Sequence, residues 1–98
     1  MRTLLEARLD TRAGNEAIKN GKLPEVLQEV MEKVHPEAAY FAPMDGGRSC
    51  LMVFDMEDSS QMPPILERFF TELEAEIHIQ PVMNYEDLQK GLSAIGRN

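Results

Sequence analysis

The stretch Glu37 to Met56 constrains this chain more than any other. It reads as two strands joined by a tight turn at Asp45-Gly46-Gly47, where glycine tolerates the positive φ that hairpin loops require. Within the second strand, Cys50-Leu51-Met52-Val53-Phe54 is apolar at every position. Successive strand residues point to opposite faces of the sheet, so a run of this kind needs cover on both. One layer of helices supplies one cover, and the rest of the chain must be searched for the other. The turn can serve as a two- or three-residue loop, which leaves the register open. Either Tyr40 or Phe41, and either Leu51/Val53 or Met52/Phe54, therefore faces away from the helices.

The segments on either side supply the remaining elements. Arg2 to Leu9 alternates, with Thr3, Leu5, Ala7 and Leu9 on one face and Arg2, Leu4, Glu6 and Arg8 on the other, as a half-buried strand does. Asp10 and Thr11 are suitable N-caps for a helical pattern over Arg12–Val34, in which Ala17, Ile18, Val26, Leu27, Val30, Met31 and Val34 recur at three- and four-residue steps. Asn20-Gly21 and Pro24 interrupt that pattern, predicting a short helix, a kink and a stronger helix from Pro24; His35-Pro36 ends it. After the hairpin, Asp58-Ser59-Ser60-Gln61 has capping-box character, with regular helix expected from about Pro63-Pro64. Ile65, Leu66, Phe69, Phe70 and Leu73 then form an apolar stripe. Ala75 to Met83 alternates again, placing Glu76, His78 and Gln80 opposite Ala75, Ile77 and Ile79. Asn84 caps a last helix carrying Leu88, Leu92 and Ile95, closed by Gly96.

The order strand, helix, strand, strand, helix, strand predicts an α+β, ferredoxin-like β-α-β-β-α-β sandwich with an extra C-terminal helix and a four-stranded antiparallel sheet, as one domain over residues 1–98. Right-handed crossovers put both main helices on one face, with the first and third strands central and the fourth beside the first. The other face then carries Leu4, Glu6, Arg8, Glu76, His78 and Gln80 beside large apolar groups. A second copy laid face to face would cover them and enclose a partly polar space, so a homodimer through the open sheet face is expected.

Charge and composition narrow the partners. The formal charge of −7 opposes phosphate backbones and anionic lipid surfaces, so neither nucleic acid nor membrane is expected. Cys50 is the single cysteine, which excludes an intrachain disulfide; with no apolar run of transmembrane or signal-peptide type, a cytoplasmic location is expected. No zinc-ligand spacing, haem-attachment motif, Walker loop or Gly-x-Gly-x-x-Gly occurs, and neither a metal nor a cofactor is predicted.

Candidate chemistry lies on the open face. His78, near Glu6 or Arg8 of the neighbouring strand, is a candidate general base with Glu6; the structural alternative is that it lines a solvated or interface surface. Arg8 is a candidate anchor for a carboxylate or enolate oxygen, and the alternative is an ion pair with Glu76 or across an interface. Tyr40, Glu76 and Gln80 complete the candidate substrate-binding set. Cys50 reads as an inert core residue, and Met44, Met52 and Met56 as pocket or core filling.

Pro36-Glu37-Ala38-Ala39-Tyr40-Phe41, Phe54-Asp55-Met56 and Pro81-Val82-Met83-Asn84, taken with the element order, resemble small uncharacterised bacterial proteins of the dimeric α/β-barrel superfamily. The resemblance implies a face-to-face dimer. It implies either of two roles: binding or converting a small, partly apolar organic molecule, in the manner of an isomerase or a cofactor-free monooxygenase, or a non-enzymatic ligand-sensing or interaction module. Whether the chain is an enzyme stays open on the residues.

Overall fold

The structure, a computed structural model, describes residues 1–96. In chain order it holds β1 (Arg2–Arg8), α1 (Thr11–Lys19), α2 (Lys22–Val34), β2 (Ala38–Met44), β3 (Gly47–Asp55), α3 (Met62–Leu73), β4 (Glu76–Pro81) and α4 (Tyr85–Ile95), with a 3-10 turn at Ser59–Gln61 leading into α3. The strands form one antiparallel sheet in the order β2-β3-β1-β4, so β1 and β3 are central and β4 pairs with β1. This is an α+β fold compatible with a ferredoxin-like sandwich.

Local chemistry explains the boundaries. Met44 pairs with Gly47, which leaves Asp45-Gly46 as a two-residue loop with φ of 51° and 77°. Positive φ at both positions is the geometry whose twist matches the flanking strands, and glycine at the second removes the steric penalty there. The Asp10 carboxylate caps α1 by accepting the Ala13 N–H at 2.9 Å. The predicted break at Asn20-Gly21 separates α1 from α2, and Pro24 sits in the first turn of α2. His35, at φ 45°, closes α2 through its N–H to the Met31 carbonyl at 2.9 Å. Asp58 and Gln61 form the expected capping box ahead of α3.

Two strands are shorter than their alternation implies. Ala75 does not join β4, because its N–H donates to the Phe69 carbonyl at 3.1 Å and closes α3 instead. Pro81, which has no N–H, ends the strand at the other side. β1 stops at Arg8, although the Leu9 N–H still reaches the Arg48 carbonyl at 2.9 Å.

The core fills the space between one sheet face and the helices. β1 contributes Leu5, Ala7 and the adjoining Leu9, β3 contributes Cys50, Met52 and Phe54, and Val26, Val30, Ile65, Leu66, Phe69 and Leu73 come down from α2 and α3. Ile77 and Ile79 of β4 are partly buried against it, as the alternation predicts. Burial of this apolar surface, at ~25 cal/mol per Å², is the main stabilising term. Phe70 and Ile18, read from the sequence as part of the apolar stripes, are exposed. Each falls outside the arc of its helix that faces the sheet: Phe69, one residue earlier, is fully buried. On the outer surface, Arg68 of α3 pairs with Glu72 one turn on and with Glu25 and Glu29 of α2, which ties the two helices together.

α4 stands apart. None of its residues is buried. The radius of gyration is 15.7 Å and the longest extent 57 Å; a compact chain of this length has a radius near ~13 Å. The helix is held at its base, where the Val82 N–H donates to the Arg2 carbonyl at 3.0 Å and the Arg2 guanidinium pairs with Asp87 at 2.8 Å. An Asn84–Asp87 capping box fixes its first turn, and Gly96 closes it through an N–H to the Leu92 carbonyl.

Candidate functional site on the open sheet face

The hairpin register resolves what the sequence leaves open. Tyr40 pairs with Leu51 and Phe41 with Cys50, so Tyr40, Leu51 and Val53 take the open face while Phe41, Met52 and Phe54 take the helix side. Combining the three pairings gives a grid in which each transverse row crosses all four strands. The middle row runs His78, Glu6, Leu51, Tyr40. One flanking row runs Gln80, Leu4, Val53, Ala38 and the other Glu76, Arg8, Ser49, Ala42. All six candidate residues named from the sequence therefore share one surface.

Their proximity within that surface differs. Glu6 and His78 are direct cross-strand partners, and such pairs hold their Cβ atoms about 4.5–5.5 Å apart. Arg8 and Glu76 are partners too, and their side chains form an ion pair at 2.9 Å. The Glu76 carboxylate, by hydrogen bond and charge, raises the already high pKa of the Arg8 guanidinium. Gln80 lies beside Leu4, one row from His78. Tyr40 is separated: at ~4.8 Å per strand it stands roughly 14 Å from His78, with Leu51 and Glu6 between. A recess of about 250 Å³ is lined by Leu4, Glu6, His78 and Gln80. A hollow of about 20 Å³ lies among Glu6, Arg8, Met44, Asp45, Ser49, Glu76 and His78. Ligand pockets usually run from ~300 to 1,000 Å³, so one copy of the chain offers a shallow tray rather than a closed chamber.

The apolar residues of the face are the feature that one chain leaves unresolved. Leu4, Leu51 and Val53 are half-buried and Tyr40 is 69% exposed, with no helix of the same chain above them. The doubly apolar character of β3 thus has one side sealed by helices and one side, half-buried among its sheet neighbours, bare of helix cover. α4 presents the same condition, with Tyr85 72%, Leu92 55% and Ile95 70% exposed.

Cys50 behaves as the sequence implies: it is buried and free, and burial pushes its thiol up to about 11. Met52 and Met56 are core residues, while Met44 borders the small hollow. Among the described residues no group of three or more His, Cys, Asp or Glu side chains is placed to hold a metal ion, and no helix is long and apolar enough to cross a membrane. Two features escaped sequence reasoning. One is the detachment of α4, whose stripe reads like that of a packed helix. The other is a groove beside β2, foreshadowed only by Phe41 and Pro43, which lie two apart and so share a face with too little of α2 above them.

These observations define a small α+β domain, ferredoxin-like in general kind, with a four-stranded antiparallel sheet. No protein-family model matches the chain, and no curated protein matches it. Among solved structures it is similar to the de novo designed protein Ferredog-Diesel, at 15% identity over 82% of this chain and 84% of that one, with a TM-score of 0.45. That likeness is too slight to bear on fold or function.

Proposed function

We propose that the chain works as a homodimer of the dimeric α/β-barrel kind, in which two open sheet faces meet and enclose a chamber for a small, partly apolar organic molecule. The observation that carries this is the bare apolar half of β3. Leu51 and Val53, with Leu4 and Tyr40, form a patch beside a polar strip, and a second identical surface covers both at once. A four-stranded face of this length spans roughly 19 by 23 Å. That is about 440 Å² in projection, below the ~800 Å² per partner that stable interfaces bury, so the exposed apolar side of α4 has to contribute to the interface.

Within such a chamber the chemistry is acid–base. His78 accepts a proton from a carbon acid of the substrate, Glu6 orients the imidazole from the adjacent strand, and Arg8 holds the developing enolate or a substrate carboxylate. Tyr40, Glu76 and Gln80 contact the remainder of the molecule. This is the isomerase- or cofactor-free monooxygenase-like reading. It is tested by assaying wild-type and His78→Ala proteins against a panel of lactones and hydroquinones. Turnover by the wild type that falls at least a hundredfold in the variant is the expected result. Equal turnover removes His78 from the mechanism, and none by either leaves the enzyme reading without support.

A second reading has its own support, the Arg8–Glu76 ion pair. That pair, within one chain, occupies the guanidinium that the enzyme reading needs for substrate, and it favours a non-enzymatic ligand-sensing or interaction module in which the polar strip lines the contact between subunits. On that reading Arg8→Ala weakens association, as measured by sedimentation equilibrium. A variant that dimerises normally yet loses ligand binding contradicts it.

A further inference from the structure

On the opposite side of the sheet from His78, the first half of α2 and the outer end of the hairpin leave a groove of about 470 Å³ between them. Its walls include Leu23 and Leu27 from α2, Phe41 and Pro43 from β2, and Arg48 and Cys50 from β3. Phe41 is on the helix-covered side of its strand and still 52% exposed, because α2 does not extend over it. Cys50 adds no charge to the groove, since burial keeps its thiol protonated at neutral pH. The volume lies within the range of small-molecule sites.

Arg48 gives the groove a chemical preference. The chain has 17 acidic residues to 10 basic ones, and Arg2, Arg8 and Arg68 each hold a carboxylate. Among the described residues none forms an ion pair with Arg48, although it is exposed and adjoins an apolar surface. Its guanidinium rests over α1 at Gly14, where an added Cβ would stand 3.1 Å from one of its terminal nitrogens. The missing side chain at Gly14 thus provides the space in which the guanidinium lies beside the groove.

We propose that this groove binds an anionic amphiphile: a carboxylate on an apolar body. The body displaces water from Leu23, Leu27, Phe41 and Pro43, and the carboxylate takes the Arg48 guanidinium, whose paired N–H donors match a carboxylate's two oxygens. A purely apolar ligand would leave that cation unused. The net negative charge of the chain opposes anions at long range, so selectivity for the carboxylate rests on Arg48 itself. His78 is not among the residues that line the groove.

The test is a titration of ¹⁵N-labelled full-length protein with octanoate and, in parallel, with octanol. Saturable shifts at the amides of Leu23–Leu27 and Phe41–Cys50 are expected with both. Arg48→Met should weaken octanoate about tenfold and leave octanol unchanged, while Phe41→Ala should weaken both. Retained dispersion of the amide spectrum establishes that each variant is folded. The proposal is overturned by equal octanoate affinity in wild type and Arg48→Met, by shifts centred on Tyr40 and Leu51 instead, or by no saturable shift. It is also overturned if the groove amides respond to protein concentration rather than to octanoate, because a second copy of the chain is then the occupant.

Discussion

The two faces of β3 carry similar side chains and meet opposite fates. Cys50, Met52 and Phe54 are sealed beneath the helices, whereas Leu51 and Val53, interleaved with them, look out over a surface that no element of the same chain covers. α3 and α4 repeat the contrast. Both are amphipathic helices, but α3 buries Ile65, Leu66, Phe69 and Leu73 while α4 buries nothing. Hydrophobicity of an element therefore does not say whether its own chain supplies the cover. In this protein the sealed half accounts for folding, and the bare half is what association can use.

The sealed half should be the more sensitive to substitution. Phe69→Ala should lower the unfolding free energy by ~3–5 kcal/mol in a urea titration, because it opens a cavity in the space where α3 meets the sheet. A loss below ~1 kcal/mol would mean that the core packs differently. Leu51→Asp on the bare half should leave the secondary structure intact and abolish dimerisation. The rise of Tm with protein concentration that mass action gives an associating protein should vanish with it. Ending the chain after Asn84, which removes α4, should shift Tm by only a few degrees, since no core residue is lost, and should weaken association. A truncated protein that unfolds outright would show α4 to be part of the folding unit.

The smallest effect concerns acid. Hydrogen bonds from Arg68 lower the carboxyl pKa values of Glu29 and Glu72, with Lys33 assisting at Glu29. A folded-state carboxyl pKa below the unfolded value stabilises the fold above the unfolded pKa, near ~4.3 for Glu, and that contribution disappears as pH falls through the depressed values. Arg68→Met should therefore lower Tm slightly at neutral pH, with the effect shrinking as the pH falls below the usual Glu range. An equal effect at neutral and acid pH would mean that Arg68 acts through packing of its aliphatic stem rather than through charge.

Much of this was legible in residues alone. Alternation in Arg2–Arg8 and Glu76–Pro81 assigned each side chain to its face, and the caps Asp10, Asp58 and Asn84 started their helices where such residues usually do. The hairpin register was not legible, because Asp45-Gly46-Gly47 admits two loop lengths and one added residue would exchange Tyr40 with Phe41 on the open face. Ala75 also misled: it continues the alternation of β4, but its N–H turns back to the Phe69 carbonyl, which also accepts the Glu74 N–H, in the turn that ends α3. The detachment of α4 could not be read from its stripe, since a helix destined for a partner and one destined for its own core have the same pattern. The site residues followed the strands: once Glu6 and His78 were on the same face, antiparallel pairing of β1 with β4 made them neighbours.

Whether two copies of the 98-residue chain associate is measured by sedimentation equilibrium at micromolar concentration. Association through the bare face predicts a species of twice the 11.1 kDa chain mass, lost in Leu51→Asp. A folded species at 11.1 kDa alone, across the accessible concentration range, would contradict it.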